Sequence, residues 1–271
     1  MTYPPDHHLL RDLQVRSEWI SDDECVFTAP VVPQICRPDG AVQLGPLFAI
    51  ADLALVSTAI GFAEDDWCGT LDLAIRMRQP VVNGSLLIAC QVFRVGGTLI
   101  TTQAEIYQGE STAHGTLAGK GIATSRRMPR NLEFNDSVPA RKVIGEPQFW
   151  GQPGSGFSAD VGEQIGLTEI TPGVIELIKT PYVTNSFGTV NGGTTGIMIC
   201  AAAESVLAGE YIATDIEVRY VGQAPDGPIR TMCEVIRVGK DHAVVDVTVI
   251  DMGRDRRPIA TGGVTLTARS G

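Results

Sequence analysis

The sequence is poor in basic residues and in histidine. Its 271 residues include 21 Lys and Arg against 31 Asp and Glu, which gives a formal net charge of −10, and there are only four His. This balance argues against a general nucleic-acid binder, because the neutralisation of phosphates needs a basic face. It still permits a small anionic ligand, since a few placed arginines are enough to bind one.

The six cysteines lack the spacing of metal ligands or of a redox pair. None forms a C-x-x-C motif, and none has a His partner at metal-ligand spacing. Most lie in apolar runs such as LLIACQV and IMICAAA. We therefore expect reduced core cysteines and no metal site.

Targeting signals and long hydrophobic runs are also missing. The first residues, MTYPPDHHLLRDL, have neither the basic start nor the apolar stretch of a signal peptide, and no apolar run approaches the length of a membrane span. With 44% hydrophobic and 19% charged residues, the composition is that of a globular protein. We expect a cytoplasmic protein without a membrane partner, built from one large domain or two ordinary ones.

An internal repeat divides the chain into two copies. Residues 70–97, TLDLAIRMRQPVVNGSLLIACQVFRVGG, resemble residues 213–240, ATDIEVRYVGQAPDGPIRTMCEVIRVGK, at an offset of 143 positions. Upstream, residues 43–48 align with residues 191–196 at an offset of 148. The matched polar and glycine positions include Asp72 with Asp215, Arg76 with Arg219, and Gly84 with Gly227.

Each copy is predicted to contain one buried helix and several antiparallel strands. The helices, roughly 46–63 and 193–208, are apolar almost all round and need a partner that surrounds them. Alternating runs such as LDLAIRM predict strands, and a curved antiparallel sheet is the available partner. Residues 126–160 are rich in Pro, Gly and charge and predict a linker, which leaves domains at 1–125 and 161–271.

These features resemble the hotdog fold, and the motifs resemble those of acyl-CoA thioesterases of the phenylacetyl-CoA (PaaI-like) type. The family pattern N-x-x-G-x-x-H-G-G, followed by a helical L-A-D and a strand T-x-D-L-x-I-x-x-x-R-P, is present in pieces across residues 24–125 and 172–268. The resemblance implies an α+β fold of two tandem hotdog domains, each a long buried helix wrapped by a curved antiparallel sheet, fused as a pseudo-dimer. It also implies an acyl-CoA substrate, no cofactor, and association of chains into homo-oligomers.

The functional positions of that family are divided between the copies. By the resemblance, the second copy keeps the Asn as Asn185 and the oxyanion glycine as Gly192, with Asn191 in place of the usual His. Its acid position holds Cys200 and its strand hydroxyl position holds Ala213. The second copy therefore has the glycine turn of an active site without the acid.

The first copy shows the complementary pattern. It keeps the acid as Asp52 and the strand hydroxyl as Thr70. The Asn, His and oxyanion glycine positions hold Arg37, Gln43 and Leu44. Because the active sites of the family lie across the interface between two copies, the resemblance implies one complete site, built from what each copy kept, and one dead site, built from what each lost.

The resemblance also implies a role for each residue of the complete site. The Gly192 amide would donate to the thioester oxygen, and Asp52 would act as a general base on water or attack the thioester directly. Asn185 would position the turn or the attacking water, and Thr70 would hydrogen-bond Asp52 or the water. Candidate substrate-binding residues are Asn191, Gly193, Arg76 and Arg78, with Arg94, Arg126 and Arg127 as further arginines for the phosphates of coenzyme A.

Each catalytic candidate also has an ordinary structural interpretation. Asp52 could face solvent, although its apolar neighbours argue against that. Asn185 could be a turn residue, Thr70 an ordinary strand residue, and the glycines a device for close packing. Glu204, one helical turn after the cysteine at the acid position, could serve as a substitute acid in the second copy.

Two other functions are compatible with a hotdog fold. A hydratase or dehydratase would need a His paired with an acid near the helix, and neither predicted helix contains a His. A non-catalytic acyl-CoA-binding or regulatory protein remains the alternative, because the chain tolerates the loss of one site and has Asn191 where the family has His.

Overall fold

Thirteen antiparallel strands form one continuous sheet in the computed structural model, which describes residues 3–129, 142–152 and 154–269. The strands of the first half are β1 (Arg16–Trp19), β2 (Glu24–Pro30), β3 (Trp67–Met77), β4 (Ser85–Val95), β5 (Leu99–Gln108), β6 (Thr116–Met128) and β7 (Gln148–Phe149). Those of the second half are β8 (Leu167–Thr171), β9 (Val174–Leu177), β10 (Tyr211–Tyr220), β11 (Ile229–Val238), β12 (His242–Asp251) and β13 (Arg257–Ala268). The helices are α1 (Leu9–Asp12), α2 (Leu44–Ile60), α3 (Val161–Ile165) and α4 (Gly192–Val206). The strand order is β7-β1-β2-β4-β5-β6-β3-β10-β13-β12-β11-β9-β8.

The long helices α2 and α4 lie against one face of this sheet and supply much of the core. Fourteen of the 17 residues of α2 are buried, because apolar side chains occur on all of its sides. Both helices begin and end close to the predicted bounds, and the predicted α+β fold is confirmed. Among the described residues, no helix has the length and apolarity to cross a membrane.

The two copies join at the pairing of β3 with β10. In that register Asp72 lies opposite Arg219, and Arg76 lies opposite Asp215. The repeat offset of 143 relates Asp72 to Asp215 and Arg76 to Arg219, so the two pairs are equivalent in the repeat. The copies are therefore related by a pseudo-two-fold axis that passes between β3 and β10.

Helices α2 and α4 cross in antiparallel directions with their backbones in close approach. A Cβ added at Gly45 would lie 3.0 Å from the Cα of Ile197, and one added at Gly193 would lie 2.8 Å from the Cα of Ala49. At the offset of 148 these two contacts are also images of each other. The missing side chains let the start of each helix reach the middle of the other.

One contact between the helices joins two equivalent positions. A Cβ added at Gly196 would lie only 2.1 Å from Cδ1 of Phe48, whose ring is fully buried over this glycine. Phe48 and Gly196 are 148 positions apart, so they are the same site of the repeat. The ring and the glycine therefore meet on the pseudo-axis.

The predicted linker at 126–160 contains regular structure on both sides of its undescribed part. Strand β6 continues to Met128, and the short strand β7 pairs with β1. Residues 130–141 and 153 of the linker lie outside the described residues. The domain bounds at 125 and 161 stay a prediction.

Candidate active site

A cavity of about 640 Å³ lies where the start of α4 faces the middle of α2. Asp52 and Thr70 of the first copy line it, together with Asn185, Asn191 and Gly192 of the second. Asp52 and Gly192 are 140 positions apart in the chain. The fold thus brings together the residues that the family resemblance assigns to the complete site.

Asp52 is a buried carboxylate on α2, with 7% of its surface exposed. Its Oδ1 accepts a hydrogen bond of 2.8 Å from the Thr70 hydroxyl. Burial raises the pKa of Asp52 from 3.8 to about 6, and hydrogen bonds from Thr70 and the Gly193 amide oppose that rise. The side chain does not face solvent, and a carboxylate of this pKa is ionised at neutral pH yet basic enough to accept a proton.

Gly192 presents its backbone to this carboxylate. A Cβ added at Gly192 would lie 2.9 Å from Oδ2 of Asp52 and 3.1 Å from the Tyr220 hydroxyl, so a side chain there would displace one of these groups. Gly192 begins α4, and its N–H has no acceptor among the described residues. The preceding Asn191 caps the helix by accepting from the amides of Gly193 at 2.8 Å and Thr194 at 3.4 Å. The helix start therefore offers one free, positively polarised donor beside Asp52.

Asn185 builds the turn that leads into α4. Its Oδ1 accepts hydrogen bonds from the amides of Phe187 at 2.9 Å and Thr189 at 3.2 Å. These contacts are those of an Asx turn, the ordinary interpretation of this residue. Asn185 also lines the cavity, and its action on the attacking water stays a prediction.

Tyr220, the last residue of β10, is a site residue that sequence reasoning missed. Its hydroxyl donates to the carbonyl oxygen of Gly192 at 2.8 Å and thereby fixes the first peptide of α4. The pattern of strand β10 alone does not identify Tyr220 as a site residue, but a comparison of the two copies could have done so. The equivalent position of the first copy is Met77, so the copy with the glycine turn has a hydroxyl where the other copy has none.

Aromatic and apolar side chains make up much of the rest of the cavity wall. The chain has eight Phe, five Tyr and three Trp. Six of these line the cavity: Tyr3, Trp67, Phe149, Trp150, Phe187 and Tyr220. Phe149 and Trp150 come from the predicted linker, and Tyr3 comes from the N-terminal segment, which lies outside the repeat.

Arg76 and Arg78, predicted to bind coenzyme A, do not line the cavity. Strand alternation buries Ile75 beneath the helices and leaves Arg76 on the opposite, exposed face. There Arg76 pairs with Glu217 of the other copy at 3.3 Å, and Arg78 is also exposed. Of the arginines named from the sequence, Arg126 lines the cavity, and it is exposed.

The residues predicted to form the dead site are engaged in other contacts. Cys200 is buried in the core, and burial raises the pKa of its thiol. Gln43 donates to a backbone carbonyl at 3.1 Å, and Arg37 pairs with a neighbouring carboxylate at 2.9 Å. Glu204, the possible substitute acid, accepts from the Ala213 amide at 3.0 Å. The cavity lining does not include these residues or the other two of the predicted dead site, Leu44 and Ala213.

The cysteines have the placement expected of core residues. All six are free thiols, four of them buried, and Cys36 and Cys233 are half-buried. Within the described ranges, no three His, Cys, Asp or Glu side chains gather as a group that could hold a metal ion.

The second copy matches a known protein domain. The model of the acyl-CoA thioesterase N-terminal domain matches residues 180–267. That range contains Asn185, Asn191 and Gly192 as well as strands β10 to β13. No curated protein sequence matches the chain.

Solved thioesterase structures share the fold of nearly the whole chain. The TesB protein of Mycobacterium avium subspecies paratuberculosis is 11% identical, with a TM-score of 0.60 over 94% of this chain and 96% of that one. The 12:0-ACP thioesterase of Umbellularia californica is 9% identical, with a TM-score of 0.61 over 91% and 94%. An acyl-ACP thioesterase of Bacteroides thetaiotaomicron is 13% identical, with a TM-score of 0.59 over 91% and 100%. At these identities the likeness shows the fold, and it confirms a hotdog-type fold over nearly the whole chain.

Proposed function

We propose that this chain hydrolyses acyl-CoA thioesters to a free acid and coenzyme A at one composite site between its two copies. The observation that carries the proposal is how close Asp52 lies to the backbone of Gly192. A Cβ added at Gly192 would be only 2.9 Å from Oδ2 of Asp52. A basic carboxylate of one copy and a free helix amide of the other thus converge on one point of an apolar cavity. The thioesterase domain match over residues 180–267 and the thioesterase folds support the same activity.

The free N–H of Gly192 is suited to the thioester oxygen. Negative charge builds on that oxygen as the carbonyl carbon is attacked, and a fixed donor at a helix start stabilises it. Loss of one such donor typically costs about 3–4 kcal/mol in the transition state. The peptide that carries this N–H is held by its Asn191 carbonyl, which accepts from the Thr195 amide at 3.2 Å, and Tyr220 holds the carbonyl of the next peptide, so the helix start is fixed before substrate arrives.

Asp52 supplies the base. In the general-base route it removes a proton from water as the water oxygen bonds to the carbonyl carbon, and the tetrahedral intermediate then expels the coenzyme A thiolate, which takes the proton back from Asp52. In the nucleophilic route Asp52 itself bonds to the carbonyl carbon, the thiolate leaves, and water hydrolyses the resulting anhydride. A single turnover in ¹⁸O-water separates them, because attack of water on the aspartyl carbonyl of the anhydride would leave ¹⁸O in Asp52.

The wall and mouth of the cavity suit the two ends of an acyl-CoA. The aromatic wall around Trp67 and Phe187, whose ring centroids are 6.5 Å apart, offers an apolar surface for the acyl group. The exposed Arg126 offers a cation for the phosphates of coenzyme A. Arg126 thus takes the place of Arg76 and Arg78 as the arginine proposed to bind the substrate.

The proposal is tested by thiol release from a panel of acyl-CoAs. We expect release by the wild type, a loss of kcat on the order of 10³-fold or more in Asp52→Asn, and nearly normal release by Cys200→Ala. Binding of acyl-CoA without thiol release by the wild type would support the non-catalytic alternative. Activity that survives in Asp52→Asn but disappears in Cys200→Ala would show that the composite site is wrong.

A further inference from the structure

The N-terminal segment, residues 3–13, forms one side of the cavity. It is held firmly, because Leu9 and Leu13 are buried in the core and Tyr182 donates to Asp12 at 2.8 Å. Arg11 donates to the carbonyl of Trp150 at 3.4 Å and to carbonyls within the segment. The segment therefore belongs to the packed structure, and the side chains that it directs into the cavity have defined positions.

Tyr3 of this segment reaches the residues of the proposed active site. Its side chain lines the cavity together with Asp52, Asn191 and Gly192, and it lies close enough to the Asn191 side chain to interact with it. The Asn191 Oδ1 already accepts from the amides of Gly193 and Thr194, which leaves its Nδ2 as the atom that can donate toward the Tyr3 hydroxyl oxygen. A phenol oxygen that accepts from this Nδ2 keeps its own O–H available as a donor.

The surroundings keep this phenol protonated. Burial raises the pKa of Tyr3 well above its usual value, and the nearby negative charge of Asp52 raises it further. A hydroxyl that stays neutral beside a carboxylate can donate a hydrogen bond to a developing oxyanion but cannot act as a base at neutral pH.

We propose that Tyr3 is a further catalytic residue, whose hydroxyl donates to the thioester oxygen beside the N–H of Gly192. The inference rests on the proposed function and adds a second donor to the same oxygen. Asn191 then has two tasks, since its Oδ1 caps α4 and its Nδ2 orients the Tyr3 hydroxyl. The N-terminal segment, which lies outside both copies of the repeat, completes the site.

The test compares Tyr3→Phe with the wild type on the best acyl-CoA of the panel. Removal of the hydroxyl alone should lower kcat on the order of 100-fold while KM changes by less than about threefold. The acid limb of the pH profile and the melting temperature should not move, because the ring and the packing remain. Tyr107→Phe removes a hydroxyl that bonds Glu105 outside the cavity and should leave kcat unchanged.

Each other outcome has a distinct meaning. An active wild type with an equally active Tyr3→Phe variant overturns this inference and leaves the proposed function intact. A variant faster than the wild type shows that the side chain obstructs the cavity, which also overturns it. A rise in KM with a lower melting temperature assigns Tyr3 a structural role only, whereas a wild type without thiol release refutes the proposed function and the inference together.

Discussion

Replacement of Asp52 by Asn should make the protein more stable at neutral pH while it removes activity. The carboxylate is ionised in a buried position, which raises its pKa from 3.8 to about 6. Each pKa unit corresponds to about 1.4 kcal/mol, so the ionised carboxylate costs the folded wild type about 3 kcal/mol that a neutral amide does not. The Thr70 hydroxyl can donate to the amide oxygen of Asn as it does to Asp52.

The pH dependence of this stability difference follows from the direction of the pKa shift of Asp52. The folded state binds the proton more tightly than the unfolded state, so the contribution of Asp52 to stability is fully present below about pH 4 and is lost as pH rises through about 6. Urea unfolding of the two proteins should therefore give similar free energies at pH 4 and differ by about 3 kcal/mol at pH 8. In a thermal scan at pH 8 the variant should melt on the order of 5–10 °C higher.

Asp39 provides a control in which the pKa shift has the opposite direction. Hydrogen bonds from Arg37 hold the pKa of Asp39 below its ordinary value, so Asp39→Asn should lose stability relative to the wild type above that ordinary value and not below it. A stability difference for Asp52→Asn that is absent at pH 8, or that is equal at pH 4 and pH 8, would refute the account of a buried, ionised carboxylate.

Three further substitutions test the site and the helix contact. Thr70→Val removes a donor to Asp52, so the acid limb of the kcat/KM pH profile should move above about 6. Gly196→Ala places a Cβ against the Phe48 ring and should cost on the order of 1–3 kcal/mol in urea unfolding, partly restored by a second change, Phe48→Leu. Arg126→Ala should raise KM for acyl-CoA several-fold at unchanged kcat, with no effect on a pantetheine thioester that lacks the nucleotide phosphates; an equal effect on both thioesters would contradict the phosphate contact.

The repeat made the architecture, and the meeting of Asp52 with the start of α4, predictable from the sequence. Each copy encodes a helix that is apolar on all sides and strands with strict alternation, and these periodicities determine which faces are buried. The offset of 148 places Asp52 level with Cys200 and so identifies which copy kept the acid. The pseudo-two-fold packing of α2 on α4 then brings Asp52 to Gly192.

The residues that sequence reasoning missed or misplaced depend on contacts between distant segments. Tyr3 lies in the cavity wall because the N-terminal segment packs along one side of the cavity, which no local sequence pattern predicts. Arg76 looked like a ligand for phosphate, but strand alternation directs it to the far face of the sheet. Asn185 lines the cavity, although its side-chain oxygen closes a turn.

The meeting of Phe48 with Gly196 has a consequence for the history of the chain. In a homodimer of separate copies, a residue on the two-fold axis must face itself, so two Phe would collide there and two Gly would leave a void. Two copies fused in one chain need not be self-complementary. One half can therefore carry the large Phe side chain and the other the Gly that makes room for it. The halves have become obligate unlike partners, so neither is expected to form a functional dimer with itself.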